Sequence, residues 1–104
     1  MTKERFKTRV AAYLILKKDN QILLHLRNNT GFADGYYSLV AGHLDGNETA
    51  IQAIIREAKE EANIILHPND LKVVHVMHRT KEIEYIDFFI ECTKWSGNIK
   101  NIEL

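Results

Sequence analysis

The chain has 104 residues, 45% of them hydrophobic and 27% charged, the profile of one small globular domain over residues 1–104. Its 14 Lys+Arg balance 14 Asp+Glu, so no global field favours a nucleic-acid polymer or a membrane surface, and no apolar run approaches the ~18 residues of a membrane span. Cys92 is the single cysteine, which rules out an intrachain disulfide, and the charged N-terminus MTKERFKTRV lacks a signal peptide's apolar core, so the expected location is cytoplasmic.

Residues 8–18 (TRVAAYLILKK) and 21–27 (QILLHLR) are apolar, β-branched-rich runs, and the Asp19-Asn20 pair between them predicts a hairpin. Residues 28–35 (NNTGFADG) read as a loop by composition, and 36–42 (YYSLVAG) as one short strand. A helix is predicted over residues 50–62. Thr49 and Gln52 have capping-box spacing, Ile51, Ile54, Ile55, Ala58 and Ala62 form an apolar stripe at helical intervals, and Asn63 suits a left-handed helix end. After the break HPND (67–70), residues 71–79 and 83–95 predict two more strands. No repeat, low-complexity tract or linker suggests a second domain.

Five of the acids, Asp45, Glu48, Glu57, Glu60 and Glu61, crowd into this loop and helix. Glu57 and Glu61 lie one turn apart, with Glu60 beside them on the polar side, so the three make one patch at the border of the apolar stripe. Stacked like charges cost a helix a few tenths of a kcal/mol per pair. A hard divalent cation reverses that sign, because Mg²⁺ selects carboxylate oxygens. Taken alone, an acidic helix face is more often merely solvated. The glycine loop and fixed spacing in front of it change the weighting.

Gly42, Glu48, Arg56, Glu57, Glu60, Glu61 and Ile64 fall in register with G-x5-E-x7-R-E-U-x-E-E-x-G-U, where U is aliphatic, so residues 42–64 resemble the Nudix box. Ala58 is a small occupant of its position, Asn63 replaces the final glycine, and Leu39-Val40-Ala41-Gly42 stands where the family usually has Leu-Pro-Gly-Gly. Gly35-Tyr36-Tyr37-Ser38-Leu39 before the box and the strands around it extend the resemblance to residues 8–104.

The resemblance implies an α/β Nudix fold, a mixed curved sheet with the box helix packed on one side. It implies a pyrophosphohydrolase that uses Mg²⁺ (or Mn²⁺) on a nucleoside diphosphate linked to another group, foremost a nucleoside triphosphate giving monophosphate and pyrophosphate. By the same resemblance Glu57, Glu60, Glu61 and the Ala41 carbonyl hold metal, one carboxylate acts as base, and Arg56 pairs with Glu48 in support. Aligning Trp95-Ser96-Gly97 with a family motif makes Glu103 a further metal ligand. Arg27, His43 and Tyr36 are candidate substrate contacts, each also readable as a surface or core residue. Phe32 and Tyr37 are further stacking candidates, while Phe88 is expected in the core and His75 and His78 on opposite faces of their strand.

Family members commonly continue through another strand and helix. The expectation is therefore a C-terminally truncated domain lacking the usual C-terminal helix, with a bare apolar sheet face that favours a homodimer. The alternatives are a nucleotide-sugar or dinucleotide hydrolase with the same site, and a nucleotide-binding module inactivated by truncation.

Overall fold

The computed structural model describes residues 5–19, 21–26, 37–80 and 82–97. Its elements, in chain order, are β1 (Arg9–Lys18), β2 (Gln21–Leu23), β3 (His25–Leu26), β4 (Tyr37–Ser38), β5 (Val40–His43), α1 (Ala50–Ala62), a 3₁₀ turn at Pro68–Asp70, β6 (Leu71–Thr80) and β7 (Glu84–Cys92). The expected strand over 36–42 is two strands, because β4 pairs with β3 while β5 pairs with β1. Which neighbour takes each half is a tertiary fact with no local signature.

β1 organises the sheet. One of its edges is shared by β5, along Ala11–Leu14, and by β2, along Leu16–Lys18, while its other edge pairs in parallel with β7, which pairs antiparallel with β6. The sheet is therefore mixed. The expected hairpin of β1 and β2 forms, and Asp19 takes the left-handed conformation (φ 53°) that its turn requires. The strand predicted over 83–95 stops at Cys92, whose thiol donates to the Lys94 carbonyl at 2.9 Å; Ser96 then bridges to Ile65.

Alternation along β1 puts Ala12, Leu14 and Leu16 on the face that meets α1, together with Val40, Ile90 and Cys92. Ile54, Ala58 and Ala62 fill that interface from the helix side, and Ile64 and Leu66 prolong it. Phe88 packs half-buried against the same core. Leu14, Ile54, Ile64 and Ile90 are the largest fully buried apolar side chains, each contributing about 1.5–3 kcal/mol by leaving water. The helix stripe includes Ala53, which the spacing did not single out, while Ile51 and Ile55 flank it half-buried.

The helix has the predicted bounds. Thr49 Oγ1 accepts from Gln52 N–H at 3.1 Å, and Gln52 Oε1 accepts from Thr49 N–H at 2.8 Å, a complete capping box. Asn63 ends it at φ 57°, ψ 39°, with its N–H and that of Ile64 returning to Lys59 and Ala58 carbonyls. An L-residue without a short polar side chain is strained there, so Asn63→Ala should lose about 1 kcal/mol in urea denaturation while Asn63→Gly loses nothing. An alanine variant as stable as wild type would contradict the assignment.

The face opposite α1 differs from the bare apolar surface expected. Tyr13 stacks on Phe89 (centroids 4.9 Å apart, interplanar angle 13°), His75 tilts onto the same Phe89 at 5.5 Å, and Tyr85 and Arg79, over the buried Asp87, complete a mixed aromatic and charged surface. His78, on the other face, meets Glu84 at 3.2 Å. Exposed Val73, Val74, Val76 and Met77 lie on β6, the edge strand beyond β7. No helix among the described residues is long and apolar enough to cross a membrane.

Candidate active site

The loop between β5 and α1 folds back because Gly46 (φ 95°) and Asn47 (φ 56°) both take left-handed conformations. That reversal lets Glu48 Oε1 accept the Asp45 N–H at 2.9 Å and carries the Glu48 carboxylate over the helix. Arg56, on the second turn of α1, reaches it with a forked pair: Nη2 donates to Oε1 at 2.9 Å and Nε to Oε2 at 3.4 Å. The same guanidinium donates through Nη1 to Glu57 Oε1 at 2.6 Å and Glu60 Oε2 at 3.4 Å. Nη2 also donates to the His43 carbonyl at 3.4 Å and lies 3.3 Å from Asp45 Oδ2. One planar cation thus holds four carboxylates and a backbone oxygen, using all of its donor nitrogens.

These contacts hold the Glu48 carboxyl below its ordinary value of 4.5, chiefly through the Arg56 hydrogen bond and next through the Asp45 N–H. Arg56 is raised in turn, first by Glu48. A depressed carboxyl contributes stability above its unfolded pKa and loses it as pH falls through the folded one. Arg56→Gln should therefore melt lower at neutral pH, yet its melting temperature should vary less than wild type's between roughly pH 5 and 3. Parallel melting curves across that window would count against the pairing as the source of the shift.

Glu57, Glu60 and Glu61 differ in exposure. The Glu60 side chain is 59% exposed and that of Glu57 15%, whereas Glu61 is buried at 7%. Glu57 lies directly against Gly42: a Cβ at that position would stand 2.3 Å from the Glu57 carboxyl carbon. Any larger residue here would therefore displace the Glu57 head group, since real Cβ atoms essentially never approach so closely.

Ala41 is placed by the ladder. Leu44 N–H donates to the Val10 carbonyl at 3.0 Å, which makes Ala12–Gly42 and Leu14–Val40 the hydrogen-bonded pairs and turns the backbone groups of Ala41 and His43 away from β1. The His43 carbonyl on that side is the one Arg56 meets. The Ala41 carbonyl opens to the same side of β5.

No three His, Cys, Asp or Glu side chains among the described residues converge closely enough to hold a metal ion; Arg56 draws Glu57 and Glu60 to itself instead. The donor set nevertheless fits a hard divalent cation: carboxylates on successive turns of one helix, one seated in the cradle that Gly42 leaves, and a carbonyl turned to the helix side of the strand edge. Arg27, Tyr36, Phe32 and Glu103 lie outside the described residues.

Sequence reasoning missed a second ion pair. Asp87 is fully buried, and Arg79 Nε donates to its Oδ2 at 2.6 Å and Nη2 to Oδ1 at 3.4 Å. Burying a carboxylate costs several kcal/mol unless a partner compensates it. The available signal was an acid inside the apolar run YIDFFI, two residues from both Tyr85 and Phe89 on one face.

The NUDIX domain family model matches residues 5–102. An ADP-ribose pyrophosphatase of Methanocaldococcus jannaschii is 43% identical over 56 residues, a stretch amounting to 54% of this chain and 32% of that protein, so about a third of the relative's length is matched. The crystal structure of a MutT NUDIX hydrolase from Burkholderia pseudomallei superposes with a TM-score of 0.79 at 23% identity, covering 94% of this chain and 76% of that one. The solution structure of the E. coli ORF135 protein does so with a TM-score of 0.78 at 21% identity, covering 93% and 69%. At these identities the two structures speak for the fold alone.

Proposed function

The chain belongs to the NUDIX family, and from that premise we propose that it is a Mg²⁺-dependent pyrophosphohydrolase, with a nucleoside triphosphate as first substrate and monophosphate and pyrophosphate as products. The observation that carries this reading is the carboxylate cluster of α1, positioned by Arg56 and by the space left at Gly42.

In the proposed assignment Glu57, Glu60, Glu61 and the Ala41 carbonyl hold Mg²⁺ (or Mn²⁺). The bound ion supplies charge neutralisation of the diphosphate and a lowered pKa for the attacking water. One of these carboxylates would take the proton as the water oxygen bonds to phosphorus and the bridging P–O bond between the α- and β-phosphates breaks, releasing monophosphate and pyrophosphate. Arg56 and Glu48 touch neither water nor substrate in this account. They fix the loop on the helix, which sets where Glu57 points. The partner is a small-molecule nucleotide, and the proposed compartment is the cytoplasm.

A second reading, hydrolysis of a nucleotide sugar such as ADP-ribose, draws support from the M. jannaschii relative, whose name describes that activity. Both readings use the same site, and product analysis separates them. Incubation with Mg²⁺ should give AMP and pyrophosphate from ATP under the first, and AMP and ribose 5-phosphate from ADP-ribose under the second. Nucleotide binding with no product from either, by folded protein, would overturn both in favour of a binding module.

A further inference from the structure

On the face away from α1, three side chains gather around the Tyr85 ring. Arg79 stacks its guanidinium over it, 4.2 Å from the centroid, Arg9 Nη1 donates to its hydroxyl at 3.4 Å, and the His43 ring lies 5.5 Å away. The register explains the gathering, since Arg9 and Arg79 are both cross-strand neighbours of Tyr85, on β1 and β6. Acids nearby have other engagements: Asp87 holds Arg79, Asp45 lies on Arg56, and Glu84 is on His78. Among the described residues Arg9 meets no carboxylate. Two guanidiniums against one carboxylate leave this cluster positive in a chain of zero net charge.

Arg79 is built to stay in place. Its Nε is fixed on fully buried Asp87, and its ring-stacked plane cannot swing without losing Tyr85. An arginine so constrained surrenders little entropy when an anion arrives, which is what distinguishes a binding residue from a solvated one. Beside it a groove of about 540 Å³ runs between the start of β1 and the box loop, lined by Thr8, Arg9, His43, Asp45 and Gly46. His43 joins this groove to the carboxylate cluster: its carbonyl meets Arg56 and its ring meets Tyr85.

We propose that Arg9, Arg79 and His43, assembled around Tyr85, bind the outermost phosphate of a nucleoside triphosphate whose inner diphosphate lies at the box carboxylates. This rests on the reading of the box as the cleavage site and deepens it, because ADP-ribose has no third phosphate for the cluster to grip. Arg9 and Arg79 are then specificity residues of this chain, acting on substrate choice and leaving the chemical step to α1.

ATP and ADP-ribose share their adenosine diphosphate portion, so the pair isolates the third phosphate. Arg9→Gln, at an exposed position, should raise KM for ATP roughly tenfold, the worth of one charged hydrogen bond, and change kcat/KM for ADP-ribose less than about twofold. The double variant Arg79→Leu/Asp87→Leu, which removes both partners of the buried pair together, should behave the same way. Equal losses on both substrates, or no loss on ATP, would overturn the proposal. Calorimetric binding of inorganic tripolyphosphate gives a readout free of turnover. It should weaken roughly tenfold in Arg9→Gln, and unchanged binding would end the proposal even if wild-type protein hydrolyses neither nucleotide.

Discussion

A single methyl group at position 42 should cost this protein about a hundredfold in turnover while leaving it folded. Gly42 needs no positive φ, so alanine meets no backbone penalty there; the obstacle is the Glu57 carboxyl, which would stand 2.3 Å from the new Cβ. The carboxyl cannot simply rotate aside, because Arg56 grips it at 2.6 Å and is itself committed to Glu48. The clash is relieved by moving the Glu57 head group or by parting β5 from α1. Head-group movement is the smaller disturbance, and displacement of a reacting group by about 1 Å costs on the order of 10²-fold. Circular dichroism and melting should show Gly42→Ala folded, with kcat reduced. A variant with wild-type kcat would mean that Glu57 takes no part in the chemistry.

Glu61→Gln should have the largest effect. Glu61 is buried on the helix flank beside the Ala58 and Ala62 core positions, and a carboxylate is an expensive occupant for such a place when glutamine fits the same volume. Loss of residues that merely orient metal ligands typically costs 10–100-fold, so neutralising a ligand should cost at least about a hundredfold in Mg²⁺-dependent hydrolysis. Undiminished hydrolysis would remove Glu61 from the site.

The pattern that made the site legible is local. The capping box, the left-handed Asn63 and the apolar stripe sit within one stretch of chain, and their physics does not depend on what packs against them. Arg56 and its carboxylates are readable for the same reason, since helical spacing and one short loop bring them together. Asp45 is visible in the sequence as one of the clustered acids, but its approach to Arg56 depends on the turn at Gly46 and Asn47. The division of 36–42 into β4 and β5 and the burial of Glu61 depend on tertiary neighbours, so periodicity did not report them. The cluster at Tyr85 is still further from local reading. Arg9, Arg79 and His43 come from three separate strands, and only the β1–β7–β6 register makes them neighbours.

If the α1 carboxylates form a divalent-metal site, they should bind Mn²⁺ without nucleotide, and electron paramagnetic resonance follows that binding in wild type, Glu57→Gln and Glu61→Gln titrated in parallel. Binding to wild type should be saturable and weakened at least about tenfold in each variant. Equal Mn²⁺ affinity in all three proteins would contradict that assignment and place any metal elsewhere in the chain.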